Sequence, residues 1–356
     1  MEITLEQLDK IKIHFIVARP RTGSTLLATM LNQNKMILST IEEPFAYFLY
    51  PKYHKIKKWT SKTINDYCTD FFLFSNGKLF FQFGKEEDLK NALEQFKEEL
   101  NYDRVIRLSY LCFFPTKDKS QITTIIDKQL KMGNYLLRAS KIFPNSNFLF
   151  LYRNPLDNLA RRRNQKQMRT KNAVGIYSII IEWFYYYKMI LTKKNKINSN
   201  RSIEVKYEDL IDDAEKELKK ICSYFGLKYE TEMLDYTDSK VIHKDTATES
   251  NTKDISIDEF LKLHEGLTKK PDKSKIGAWK SSLSSDEIDI IWSICGVLAK
   301  EMGYNKDDRI NGNHIKTIFY FHFIEFLVAH RLIIKIWYLL PFSIQRLIKI
   351  KRNDTK

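Results

Sequence analysis

The stretch from residue 11 to residue 31, IKIHFIVARPRTGSTLLATML, limits what this chain can fold into more than any other. An apolar, β-branched run (Ile11, Ile13, Phe15, Ile16, Val17) stops at Arg19-Pro20-Arg21-Thr22-Gly23-Ser24-Thr25. Leu26, Leu27, Met30 and Leu31 then recur at helical spacing. Strand, tight turn and helix N-terminus in that order make an anion site. The first helical N–H groups have no intrahelical partner, and the positive end of the helix dipole lies beside them. Gly23 lets the backbone approach a ligand closely, while the hydroxyls of Thr22, Ser24 and Thr25 add short donors. The competing reading is a plain strand-to-helix turn capped by a Thr or Ser.

The turn is close to the nucleotide-binding pattern G-x-x-x-x-G-K-[ST] but departs from it twice. Ala18 stands where the first glycine would be, and Ser24 replaces the lysine that draws on the β- and γ-phosphates. A kinase without that lysine must find its charge elsewhere. Arg21, inside the turn, supplies a planar, multi-donor cation suited to a phosphate or sulfate.

Basic residues outnumber acidic ones, 59 to 44, for a formal charge of +15. That balance favours anionic ligands or surfaces without choosing among them. With 43% hydrophobic and 29% charged residues, the 356-residue chain is globular and long enough for a large core. Cys68, Cys112, Cys222 and Cys295 are scattered, so neither a disulfide framework nor a zinc site is expected, and a reducing compartment is. Residues 1–5 are polar and do not open a signal peptide, which points to a cytoplasmic protein.

Further along, strand-like and helix-like segments alternate. Ile37 to Ile41 reads as a short strand or loop ending at Glu42-Glu43-Pro44, and residues 86–100 read as an amphipathic helix through Leu89, Leu93, Phe96 and Leu100. Residues 103–114 carry mixed strand and helix signals. A strand at 122–127 has Lys128 at its end, and a helix through Leu130, Leu136 and Leu137 follows. The apolar run Phe148 to Tyr152 suits a parallel strand covered on both faces. It ends at Arg153-Asn154-Pro155, after which come Arg161, Arg162, Arg163 and Arg169. A helix over 173–194, a strand over 203–207, a helix closed by Gly226, a polar stretch 237–275 and a Ser-capped helix over 285–302 complete the core. The alternation predicts a P-loop-like three-layer α/β/α fold around a central, mostly parallel sheet. Residues 1–310 are expected to form that domain and 311–356 a basic, aromatic-rich helical tail. Within the tail, residues 314–352 read either as an in-plane membrane anchor or as helices packed on the core. Charges interrupt every apolar run there before it reaches spanning length.

Open α/β sheets bind ligands beyond the carboxyl ends of their strands. Arg21, Glu42 and Glu43, Lys128 and Arg153 all fall at such ends. The ordered motifs PRTGSTLL, IIDK, FLFLYRNPLDN, EVKYEDL and KIGAWKSSLS…GY, spread over residues 13–304, resemble the sulfotransferases that use 3′-phosphoadenosine 5′-phosphosulfate (PAPS). That resemblance implies that Pro20, Arg21, Thr22, Gly23, Ser24 and Thr25 cradle the 5′-phosphosulfate, with Arg21 beside the sulfuryl group. It implies that Arg153 holds the 3′-phosphate and that Arg161, standing where the family usually has a serine, is a second contact. Tyr207 is implied near the adenine, Lys273 as a further 3′-phosphate contact, and Lys275 and Gly277 as cofactor-binding residues beside it. For catalysis it implies Glu42 or Glu43 as base, with Lys128 and Arg21 touching the transferring group.

Sulfuryl transfer is mostly positioning and charge stabilisation, and fixed cations can do there what a metal does in phosphoryl transfer. The expected reaction therefore takes PAPS as co-substrate, needs no metal and yields adenosine 3′,5′-bisphosphate. Its expected partner is a hydroxyl-bearing glycan or lipid, with peripheral contact at the inner face of a membrane and no nucleic acid. A P-loop kinase of a small metabolite and a non-catalytic basic membrane- or nucleic-acid-binding protein are the rival readings.

Overall fold

The computed structural model describes residues 2–41, 45–74, 83–130, 132–170, 175–238, 269–306, 336–337 and 339–354. Five strands, β1 (Lys12–Ala18), β2 (Ile37–Ile41), β3 (Thr124–Gln129), β4 (Phe148–Tyr152) and β5 (Ser202–Lys206), form one sheet in the order β2-β3-β1-β4-β5. Every pairing is parallel. β3 and β4 are buried along their whole length, and β1 exposes only its first residue. Continuous apolar runs are what a parallel strand covered by helices on both faces requires.

Alternation along the strands divides the core in two. Ile125 points to one face with Phe15, Leu136 and Trp183, while Ile126 points to the other with Leu27, Leu151 and Ile221. The result is the expected three-layer α/β/α sandwich. The chain leaves β1 toward β2, which lies beyond β3, but leaves β4 in the opposite direction toward β5. The carboxyl ends of β1 and β4 therefore border the switch point, where such sheets hold their ligands.

Several local expectations are corrected. Residues 102–111 are helical (Tyr102–Leu111), started by the Asn101 side chain accepting from the Arg104 amide. The helix at Glu86 stops at Gln95, and a 3₁₀ turn at Lys97–Glu99 follows, so Leu100 reaches the core from outside it. β3 runs one residue past Lys128, because Gln129 still pairs with Val17. Leu130 precedes the helix Met132–Ile142 instead of lying on it. The Ser284 cap with Glu287, and the left-handed Gly226 closing the helix Ala214–Phe225, are as expected. All four cysteines are free and buried.

Of the tail, residues 314–335 and 338 lie outside the described residues. The helix Phe342–Asp354 packs on the helix Ser61–Phe74: the Phe342 ring is 5.2 Å from that of Phe74, and Arg346 Nε donates to Asp70 Oδ1 at 2.7 Å. No helix among the described residues is long and apolar enough to cross a membrane.

His14 in β1 serves the fold. Its ring stacks on Phe225 and its Nδ1 accepts from the Asn147 amide at 3.0 Å. Burial, with Lys12 adding repulsion, pushes its pKa down from 6.5 to about 4. The unfolded chain takes up this proton at higher pH than the folded one. The contribution is therefore complete above pH 6.5 and is lost as pH falls toward 4. It amounts to about 3 kcal/mol. A His14→Phe variant should lose less stability between pH 6.5 and 4 than the parent when melting is followed across that range; parallel acid limbs would count against this assignment.

Candidate functional site

The turn after β1 is held from several sides. Arg19 is buried, its Nη1 donating to the Glu182 carbonyl at 2.8 Å, while the Tyr186 hydroxyl donates to the Ala18 carbonyl. Asn158 Nδ2 donates to the Pro20 carbonyl at 3.0 Å. Thr22 spends its hydroxyl proton on the Arg19 carbonyl at 2.8 Å, so it braces the turn from within.

Two residues of left-handed backbone follow, one on either side of Thr22. Arg21 has φ +71°, uncommon for a residue with a Cβ, and Gly23 has φ +85°. Strained backbone of this kind gathers at binding sites. Gly23 precedes the helix Ser24–Leu31, whose first internal bond is Leu27 N–H to the Gly23 carbonyl. The amides of Ser24, Thr25 and Leu26 thus come before the helical ladder begins, and no side chain caps them.

Arg153, at the end of β4, comes directly against this turn. One guanidinium nitrogen donates to the Arg21 carbonyl at 3.1 Å and the other to the Lys275 carbonyl at 2.8 Å. Its Cζ lies 4.1 Å from the centre of the Tyr207 ring. The same ring packs so tightly on Gly23 that an added Cβ would fall 2.3 Å from Tyr207 Cδ2. Arg21, Gly23, Arg153, Tyr207 and Lys275 are thereby brought to one place.

Arg161 joins them from the helix Pro155–Thr170. Burial, then Arg161 and Arg153, lower the Arg21 pKa to about 10, and burial with Arg153 lowers that of Arg161. Arg162 and Arg163 are held instead by Glu182 and Glu287. Arg153 and Arg161 make no salt bridge among the described residues. Asp157 and Asp272 offset only part of the effect of burial and Arg153 on Arg161, and guanidiniums crowded in a partly desolvated place are suited to an anion with more than one charge.

The remaining residues singled out in the sequence take different positions. Lys128 is fully buried, in register with Ile16 and Ile41, on the sheet face that carries Ile126 and the helix Ser24–Leu31. Glu42 and Glu43 lie outside the described residues, directly after β2 in sequence. Lys273 is exposed and paired with Asp212 at 2.7 Å, and Lys275 takes part through its carbonyl. The Gly277 amide donates to Asp157 Oδ2 at 2.8 Å.

Asp157 was not apparent from the sequence. It sits in the first turn of its own helix, yet its second oxygen accepts from the Trp279 amide at 3.0 Å, so one carboxylate ties this helix to the turn at Gly277, where φ is +75°. Glu208 does similar work, accepting from the Asn154 amide at 2.9 Å and the Tyr304 hydroxyl at 2.7 Å. A cleft of about 330 Å³ lies against Asp157, Glu208, Gly277 and Trp279, and none of residues 20–25 lines it. Replacing Asp157 by alanine leaves two amides without their charged acceptor, at about 1.5–3 kcal/mol each. Melting temperature should fall clearly and anion affinity with it, because Lys275, which holds Arg153, belongs to the same turn. Unchanged melting would contradict this bracing role.

An all-parallel α/β sheet with a glycine turn, an uncapped helix end and clustered arginines at its switch point has the architecture of the P-loop-like α/β class. The chain belongs to the sulfotransferase family, whose model it matches over residues 14–231. Two solved structures have a similar fold. The sulfotransferase domain of the Synechococcus PCC 7002 olefin synthase is 19% identical with a TM-score of 0.51, over 84% of this chain and 97% of that one. The sulfotransferase domain from the curacin biosynthetic pathway is 18% identical with a TM-score of 0.51, over 83% and 99%. Among curated sequences, an uncharacterised protein of Aquifex aeolicus (strain VF5) is 22% identical over 261 residues. The match takes in 71% of this chain but spans only 31% of that protein.

Proposed function

We propose that this sulfotransferase moves the sulfuryl group of PAPS to a hydroxyl of a carbohydrate, lipid or lipid-linked glycan. The observation that carries the reading is the meeting of Arg153 and Arg161 beside the uncapped helix N-terminus and the Tyr207 ring. In this reading Arg153 and Arg161 hold the 3′-phosphate, and Tyr207 lies near the adenine. The turn from Pro20 to Thr25 takes the 5′-phosphosulfate with its amides. Lys275 and Gly277 close the 3′ side by keeping Arg153 and Asp157 in place, and Lys273 adds charge from the rim.

The acceptor oxygen attacks sulfur as the bond from sulfur to the 5′-phosphate oxygen breaks. The hydroxyl proton passes to the carboxylate of Glu42 or Glu43, and adenosine 3′,5′-bisphosphate leaves. Arg21 and Lys128 stabilise the charge that grows on the oxygens around sulfur. Those two cations are fixed by the fold, so the reading requires no metal.

Titration calorimetry with adenosine 3′,5′-bisphosphate tests the donor assignment. Binding without added magnesium is expected; binding of Mg-ATP and none of the bisphosphate would replace this reading with a kinase. Lys128→Met, which keeps the volume and removes the charge, should lower kcat by about 10²–10³-fold, as loss of an oxyanion-type contact does. Bisphosphate affinity should change much less, and an unchanged kcat would remove Lys128 from the mechanism.

A further inference from the structure

The helix Phe342–Asp354 rests on the protein through Phe342 and Arg346, with Gln345 also turned inward. Arg346 reaches Asp70, whose side chain is fully buried, and Gln345 Nε2 donates to the carbonyls of Trp337 at 2.7 Å and Leu340 at 2.9 Å. On the opposite side Ile344, Leu347 and Ile348 are 41%, 58% and 42% exposed, with Lys351 among them. Just before the helix, Ile336 and Leu339 are 51% and 80% exposed. A helix facing only water and its own core turns its apolar stripe inward. Scattered exposed aliphatics are ordinary, but here five fall within thirteen residues, three of them on one side of the helix.

The charge around this surface is predominantly basic. Lys52 Nζ bonds Asp70 from the other side at 2.7 Å and lies 5.6 Å from the Phe342 ring. The segment that Lys52 opens therefore adjoins the helix, and within a few residues it carries exposed Lys55, Lys57 and Lys58. Neither residues 51–62 nor residues 336–351 contain an aspartate or glutamate. Asp70 is already satisfied by Lys52 and Arg346. A second copy of this chain would bring lysines against lysines.

We propose that this face seats on an anionic lipid bilayer. The aliphatic side chains enter the boundary between headgroups and acyl chains, and the flanking lysines meet lipid phosphates. Arg346 and Phe342 fix the helix to the enzyme, through Asp70 and Phe74, so that the side carrying Ile344, Leu347 and Ile348 is presented outward. The site at the β1–β4 switch point is thereby tethered to a surface rich in lipid-borne hydroxyls, which deepens the acceptor assignment above without depending on it.

Co-sedimentation of the full chain with vesicles tests this. Binding is expected to equal parts of phosphatidylcholine and phosphatidylglycerol, weakening in high salt, and little to phosphatidylcholine alone. The double substitution Leu347→Glu, Ile348→Glu should weaken vesicle binding by at least about tenfold. Its melting temperature and bisphosphate affinity should match the parent, since both side chains face outward. No binding to the mixed vesicles, or equal binding by parent and variant, overturns the proposal. So does a dimer in sedimentation equilibrium that the same substitutions dissociate. Loss of vesicle binding with intact bisphosphate binding separates this outcome from any failure of the donor assignment.

Discussion

Arg153→Ala is expected to abolish measurable bisphosphate binding while leaving the sheet folded. The side chain does three things at once: it donates to the Arg21 carbonyl, donates to the Lys275 carbonyl, and lies over the Tyr207 ring. Losing a desolvated charged contact to an anion costs about 2–5 kcal/mol. Here the loss also frees the two carbonyls that keep the turn and the segment before Gly277 in place. Arg153→Lys should recover little, because an ammonium has no planar head that can lie flat on an aromatic ring while two separate nitrogens reach the two carbonyls. Calorimetry, with circular dichroism as the folding control, reads the result. A variant that binds the bisphosphate within a few-fold of the parent would take Arg153 out of the site.

Gly23→Ala should be nearly as damaging through a different cause. At φ +85° an alanine pays about 1–2 kcal/mol for left-handed backbone. Its methyl group would also meet the Tyr207 ring at 2.3 Å, and overpacking of this kind costs about 1–3 kcal/mol more. Either the ring or the turn must move, and both belong to the candidate site. Melting temperature and bisphosphate affinity should fall together. Adding Tyr207→Ala removes the collision but not the backbone strain, so it should restore part of the stability and little of the affinity. Full recovery in the double variant would mean that the backbone conformation at Gly23 is unimportant.

How much of this was readable beforehand depended on whether the cause was local. The strand–turn–helix at 11–31 was legible because its residue types and spacing lie within twenty-one residues, and Arg153 because a continuous apolar run delivers it. The caps at Ser284 and Gly226 obey near-neighbour rules. Tyr102–Leu111 was not legible: its aromatic and β-branched residues suit either state, and packing decided for helix. Asp157, Glu208 and the contact of Tyr207 with Gly23 were beyond reach for another reason. Their partners lie 120, 54 and 184 residues away, and no short pattern encodes such a meeting. The tail helix shows the same limit, since the sequence reveals two sides and not which one meets the protein.

The reach of Arg153 to Lys275 also bears on when this protein becomes able to work during its own synthesis. All five strands are complete once Lys206 has been made, and the sheet then has its pairings in hand. The carbonyl of Lys275 and the amide of Gly277 come later in the chain, several seconds later at ordinary translation speed. A nascent chain can therefore pair its strands before the contacts that brace Arg153 exist, and a small molecule that stabilises only the finished site would give no help to the early steps of folding.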